Sequence, residues 1–143
     1  KYKKQEIGVM AFGTIQMAMT AVHLGDTDTA WKLLCSMAEN NYYNTFSPSH
    51  NAGPFIFNCD ISGGVPGLIL EMLVQSKPVT DGEGKIRSFE IRLLPNLPAP
   101  WKTGSLRGVR TRGGFELNFS WENGKVSQCE VIRHSNYEYN LLS

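Results

Sequence analysis

The chain has 143 residues with 14 basic and 13 acidic side chains, a net charge of +1. That is one domain's length, and the charge balance excludes the basic stripe of a nucleic-acid or membrane-surface binder. Three cysteines, Cys35, Cys59 and Cys129, have neither zinc spacing nor an obvious pairing and read as buried free thiols.

In chain order, the first element is a helix over residues 5–24. Its apolar residues Ile7, Val9, Met10, Phe12, Ile15, Met17, Met19 and Val22 surround it, so it reads as buried on all sides. The stretch is too short and too mixed for a membrane span. Gly25 closes this helix, and Asp26 or Thr27 caps the next, over residues 28–39. Ala30, Leu33, Leu34 and Met37 give that second helix one apolar face, and the two helices form an antiparallel pair. Residues 40–62 are aperiodic, with Ser47-Pro48-Ser49 and Gly53-Pro54 as loop signals and Tyr42, Tyr43, Phe46, Phe55 and Phe57 as aromatic content. A third helix is predicted over residues 65–75, with Pro66 in its first turn and Leu68, Ile69, Met72 and Leu73 packed.

Residues 78–84 read as a turn-rich connector, and the pattern then changes to period two. Phe89, Ile91 and Leu93 make one strand face; Phe115, Leu117, Phe119 and Trp121 make another. Asn123-Gly124 signals a hairpin, the return strand slips near Ser127, and residues 137–142 offer one more strand. The expectation is an α+β chain: a helical part over residues 1–77 and a small antiparallel β domain over residues 78–143.

No nucleophile elbow, zinc motif or phosphate loop is present. The most pointed feature is Phe57-Asn58-Cys59-Asp60-Ile61-Ser62-Gly63-Gly64, which sets an acid and small polar groups before a helix. Either Asp60 or Ser62 merely caps that helix, or Asp60 is an acid at the mouth of a pocket walled by Phe55, Phe57 and the tyrosines. His50 in the preceding loop is either exposed or a contact for a sugar hydroxyl. His23 suits the last carbonyls of the first helix, while His134 has no visible partner. Arg110 and Arg112 either bind a carboxylate or form cross-strand salt bridges.

The run Phe57-Asn58-Cys59-Asp60, then Gly64, Ile69 and Glu71 to Ser76, resembles a segment of glycoside hydrolase family 95 that reads roughly FQIDGNFGGxxGIxEMLLQS. Further on, Leu93-Leu94-Pro95-Asn96-Leu97-Pro98, Trp101, Gly104, Gly108, Arg112-Gly113-Gly114-Phe115-Glu116, Trp121 and Gly124-Lys125 resemble the same family's LLPALPxxWxxGxxxGxxxRGGFExxxxWxxGK. The sequence departs at Asn58, Ile61 and Ser62, where the family has glutamine, glycine and asparagine.

This resemblance implies the last helices of an (α/α)6 catalytic barrel followed by the C-terminal β domain of an inverting exo-glycosidase. The implied substrates are α-L-fucosides or α-L-galactosides. It implies that Asp60 is catalytic, polarising an asparagine pair that activates water, with a glutamate as general acid. Those asparagines and that glutamate lie upstream and outside this chain, which is therefore expected to be inactive alone. His50, Asn58 and Ser62 are expected substrate contacts. No metal or organic cofactor is implied. The expected partners are a glycan or oligosaccharide and the rest of the barrel, without nucleic acid or membrane, in a secreted or periplasmic parent. The alternatives are a non-catalytic carbohydrate-binding or structural module and an autonomous small domain.

Overall fold

A computed structural model describes residues 10–51 and 56–143. The order is α1 (Ala11–Leu24), α2 (Thr27–Asn40), α3 (Cys59–Leu73), β1 (Val74–Thr80), β2 (Ile86–Leu93), β3 (Gly104–Thr111), β4 (Phe115–Glu122), β5 (Lys125–Arg133) and β6 (Glu138–Leu142). The chain divides into two compact units, Lys1–Glu71 and Met72–Ser143.

In the first unit, α1 ends at Gly25, whose left-handed φ of 77° lets its N–H and that of Asp26 reach the carbonyls of Val22 and Ala21. Asp26 then accepts a hydrogen bond from Thr29 N–H at 3.0 Å and caps α2, as its position predicts. So short a joint makes α1 and α2 a helical hairpin. The buried stripe of α1 is Ala11, Thr14, Ile15, Ala18, Ala21 and Val22; α2 buries Ala30, Leu34 and Met37, and α3 buries Ile61 and Leu68. Gly64 brings α3 close to α1: a Cβ there would stand 2.8 Å from Ile15 Cγ1. The all-round burial expected of α1 is not found within this chain. Met17 and Leu24 are 60% and 80% exposed, and Met10 and Phe12 are exposed too. The expected start of that helix, residues 5–9, lies outside the described residues.

The third helix begins six residues earlier than periodicity suggested, because burial of Ile61 and Leu68 and the close approach of Gly64 to Ile15 outweigh the poor helix propensity of Gly63, Gly64 and Gly67. Pro66 is therefore in the helix interior and not the first turn. Its missing N–H leaves the Ser62 carbonyl without its helical donor.

In the second unit, residues 78–80 end strand β1 and do not belong to a connector; the turn is confined to residues 81–85. Two three-stranded sheets form, β1-β2-β6 and β3-β4-β5. All pairings are antiparallel except β2 with β6, which is parallel. The expected strand faces are buried as read: Phe89, Ile91 and Leu93 in one sheet, Phe115, Leu117, Phe119 and Trp121 in the other. Phe89 meets Phe115 edge-to-face with centroids 6.2 Å apart, which joins the sheets' apolar sides. Gly113, at φ 85°, sits where a Cβ would overlap both rings. Asn123 and Gly124, both with positive φ, make the two-residue β4–β5 hairpin. Ser127 is the extra residue of a bulge in β5, which accounts for the slip in alternation there.

Candidate functional site

The loop between α2 and α3 is less free than its sequence suggests. Isolated bridges join Tyr42 to Pro48 and Ser49 to Phe57. Ser49 N–H donates to the Asn41 carbonyl at 2.6 Å, and Asn58 N–H to the Pro48 carbonyl at 3.2 Å. The buried amide of Asn41 donates to the Ser49 carbonyl at 3.2 Å. The Tyr42 hydroxyl donates to the Ile61 carbonyl at 2.9 Å, and burial raises its pKa, so it keeps that proton. Asn41 was not singled out from sequence; an asparagine just past a helix end is the signal that marks it.

This pinning brings His50 beside the start of α3. Asn58 is 4% exposed and its side chain is fully used. Its Oδ1 accepts from Ile61 N–H at 2.9 Å, which caps α3. Its Nδ2 donates to Asp60 Oδ2 at 3.0 Å and approaches His50 Nδ1 at 3.0 Å. The structure thus joins His50, Asn58 and Asp60 in one network and makes Asn58, not Asp60 or Ser62, the cap. Asp60 is exposed in the first turn of α3, where the helix N-terminus favours a carboxylate. Ser62 is exposed on the same turn and takes no part in the network. Phe57, 58% exposed, and Ile56 give the neighbourhood an apolar rim. Phe55, the other expected wall residue, lies outside the described residues.

The other candidates separate from this network. Arg110 pairs with Glu116 at 2.8 Å across β3 and β4, the cross-strand alternative. His134 reaches the same carboxylate at 3.2 Å, a partner the sequence did not reveal. The cysteines are free, but Cys59 and Cys129 are exposed and Cys35 is half-buried, so their expected burial is not seen. No cluster of three His, Cys, Asp or Glu among the described residues is placed to hold a metal. No helix among them is long and apolar enough to cross a membrane. The opposite, polar face of the β3-β4-β5 sheet carries a shallow groove of ≈ 380 Å³ lined by Ser105, Arg107, Asn118, Ser120, Gln128 and Glu130, among others.

Parts of the chain are similar to known proteins. Residues 87–142 match the C-terminal domain of glycoside hydrolase family 95. Probable alpha-fucosidase A of Aspergillus niger is 28% identical over 110 residues, which is 76% of this chain and 14% of that protein. Probable alpha-fucosidase A of Aspergillus oryzae is 39% identical over 69 residues, 47% of this chain and 9% of that one. Alpha-L-fucosidase 2 of Arabidopsis thaliana is 32% identical over 96 residues, 66% of this chain and 10% of that one. Residues 87–142 thus carry the C-terminal domain of glycoside hydrolase family 95, and the chain as a whole is similar to parts of these three proteins. It spans 9–14% of the length of these relatives.

Proposed function

We propose that this chain supplies the Asp60-bearing helices and the C-terminal β domain of an inverting exo-glycosidase that hydrolyses α-L-fucosides or α-L-galactosides. The observation that carries this reading is an exposed carboxylate, Asp60, held by a buried amide at a helix N-terminus in a chain of family 95 type. Asp60 acts on the water side of the sugar by polarising the groups that activate water. The general acid comes from the remainder of an (α/α)6 barrel. An inverting site sets its acid and base about 6.5–9.5 Å apart to admit water. The exposed apolar residues of α1 support the reading, since a barrel helix needs cover on both flanks. Alone, this chain lacks a general acid and is inactive. His50 and Ser62 are sugar contacts, and the parent is secreted or periplasmic.

The test uses the full-length parent on chromogenic α-L-fucoside and α-L-galactoside. Wild type turns over one of them, and Asp60→Asn loses at least about a hundredfold, within the range for an acid–base group. Equal rates would remove Asp60 from the reaction.

A second reading, a non-catalytic carbohydrate-binding or structural module, draws on the polar groove of the β3-β4-β5 sheet. It expects saccharide affinity in the isolated chain by titration, and no turnover in the parent. Binding that survives Arg107→Ala and Gln128→Ala would detach that affinity from the groove.

A further inference from the structure

Three facts about the network combine into a proton assignment. Ile61 N–H is a backbone donor, so the Asn58 atom facing it at 2.9 Å is the amide oxygen. The other amide terminus is then NH2, a group that can only donate. It faces Asp60 Oδ2 and His50 Nδ1, each at 3.0 Å, so one hydrogen goes to each. His50 Nδ1 must therefore accept, and the proton of the neutral imidazole lies on Nε2. The cap of α3 thus sets an amide orientation, and the amide sets a histidine tautomer.

We infer that Asn58 is a positioning residue: it orients the Asp60 carboxylate and fixes His50 as an Nε2–H donor, and does not itself meet the sugar. The inference rests on the catalytic reading of Asp60. Burial supports it, since Asn58 is 4% exposed and both ends of its amide are committed, whereas Asp60 is exposed. Geometry supports it as well. One rigid planar group, held by the backbone of the helix that carries Asp60, leaves the carboxylate little rotational freedom, and correct orientation is what a positioned catalytic group needs. The second hydrogen of the same amide ties the loop histidine to that helix.

Two substitutions separate this role from capping. Asn58→Ser keeps a good helix cap but has no NH2 to donate. Asn58→Gln keeps the NH2 on a longer arm and caps poorly. In the full-length parent, Asn58→Ser melts where wild type melts, yet kcat falls about ten- to hundredfold, the worth of one hydrogen bond to a charged group, while KM changes little. Asn58→Gln melts lower but is faster than Asn58→Ser. Added to Asp60→Asn, Asn58→Ser costs almost nothing further, because it acts through Asp60.

The inference is overturned if Asn58→Ser keeps wild-type kcat while Asp60→Asn does not, because Asn58 is then only a cap. It is overturned equally if activity follows melting temperature across the two Asn58 variants, or if Asn58→Ser slows the Asp60→Asn enzyme by a further tenfold. If Asp60→Asn is itself fully active, the catalytic reading falls first and this inference falls with it.

Discussion

Gly63 and Gly64 are adjacent in α3 with opposite surroundings. A methyl at Gly63 meets nothing within 4 Å, while one at Gly64 meets the stiff, β-branched Ile15 at 2.8 Å. Gly63→Ala is expected to raise stability by about 0.5–1 kcal/mol through helix propensity. Gly64→Ala gains the same propensity but overpacks, at a cost of about 1–3 kcal/mol, and should be net destabilising. Urea unfolding of the two variants in the same background checks both signs. The backbone N–H of Thr29, then its side chain, lowers the Asp26 pKa from its ordinary 3.8. A carboxylate lowered on folding contributes stability above its unfolded pKa and loses it as pH falls through the folded value. Below pH 3.8, wild type should therefore lose helix signal that Asp26→Asn, whose amide oxygen still caps α2, does not lose. Circular dichroism titrations of the two should diverge only in acid.

At the scale of elements, what was legible followed from pattern strength. Alternation over Phe115 to Trp121 predicted a strand with one buried face, because a half-buried sheet imposes period two directly. Gly25, Asp26 and Asn123-Gly124 were readable because each backbone geometry there has few residues that serve it. The first six residues of α3 were not readable. Their glycines and the interior Pro66 argue against helix, and only contacts with α1 reverse that. Strand β1 was hidden for a related reason: its Pro78 and polar residues suit an edge, where one side goes unpaired. At the candidate site, family resemblance is what singles out Asp60, whereas the link between His50 and Asn58 depends on loop bridges that no local pattern encodes. Gly104→Val sets a branched side chain where even a Cβ would overlap the Trp121 indole, whose Nε1–H donates to the Trp101 carbonyl at 2.8 Å. It should disorder β3 against β4, seen as a red-shifted tryptophan emission and a stability loss of about 1–3 kcal/mol or more.

At the scale of the whole molecule, the exposed side of α1 is the informative surface. If α1 is a barrel helix as proposed, Met17, 60% exposed here, is covered by the rest of that barrel. Met17→Lys should then leave the melting temperature of the isolated chain nearly unchanged while destabilising the full-length protein by about 2–5 kcal/mol, the usual cost of losing a large core side chain. Thermal melts of both forms test it. Equal, small shifts in both would mean that α1 stays open to solvent in the parent and would count against the barrel reading.

The passage from α3 into β1 bears on how this protein can be cut into parts. Leu73 ends the helix and Val74 begins the strand with no residue between them. Two N–H groups from the segment after β2, those of Leu94 and Asn96, bond the carbonyls of Leu73 and Met72 at 2.7 and 3.0 Å. An excision that keeps only the family-matched residues 87–142 would discard β1, expose the hydrogen-bonding edge of β2 and leave those two donors unanswered. A self-standing β piece has to begin no later than Met72, and an unpaired β2 edge in a shorter one is an invitation to aggregate.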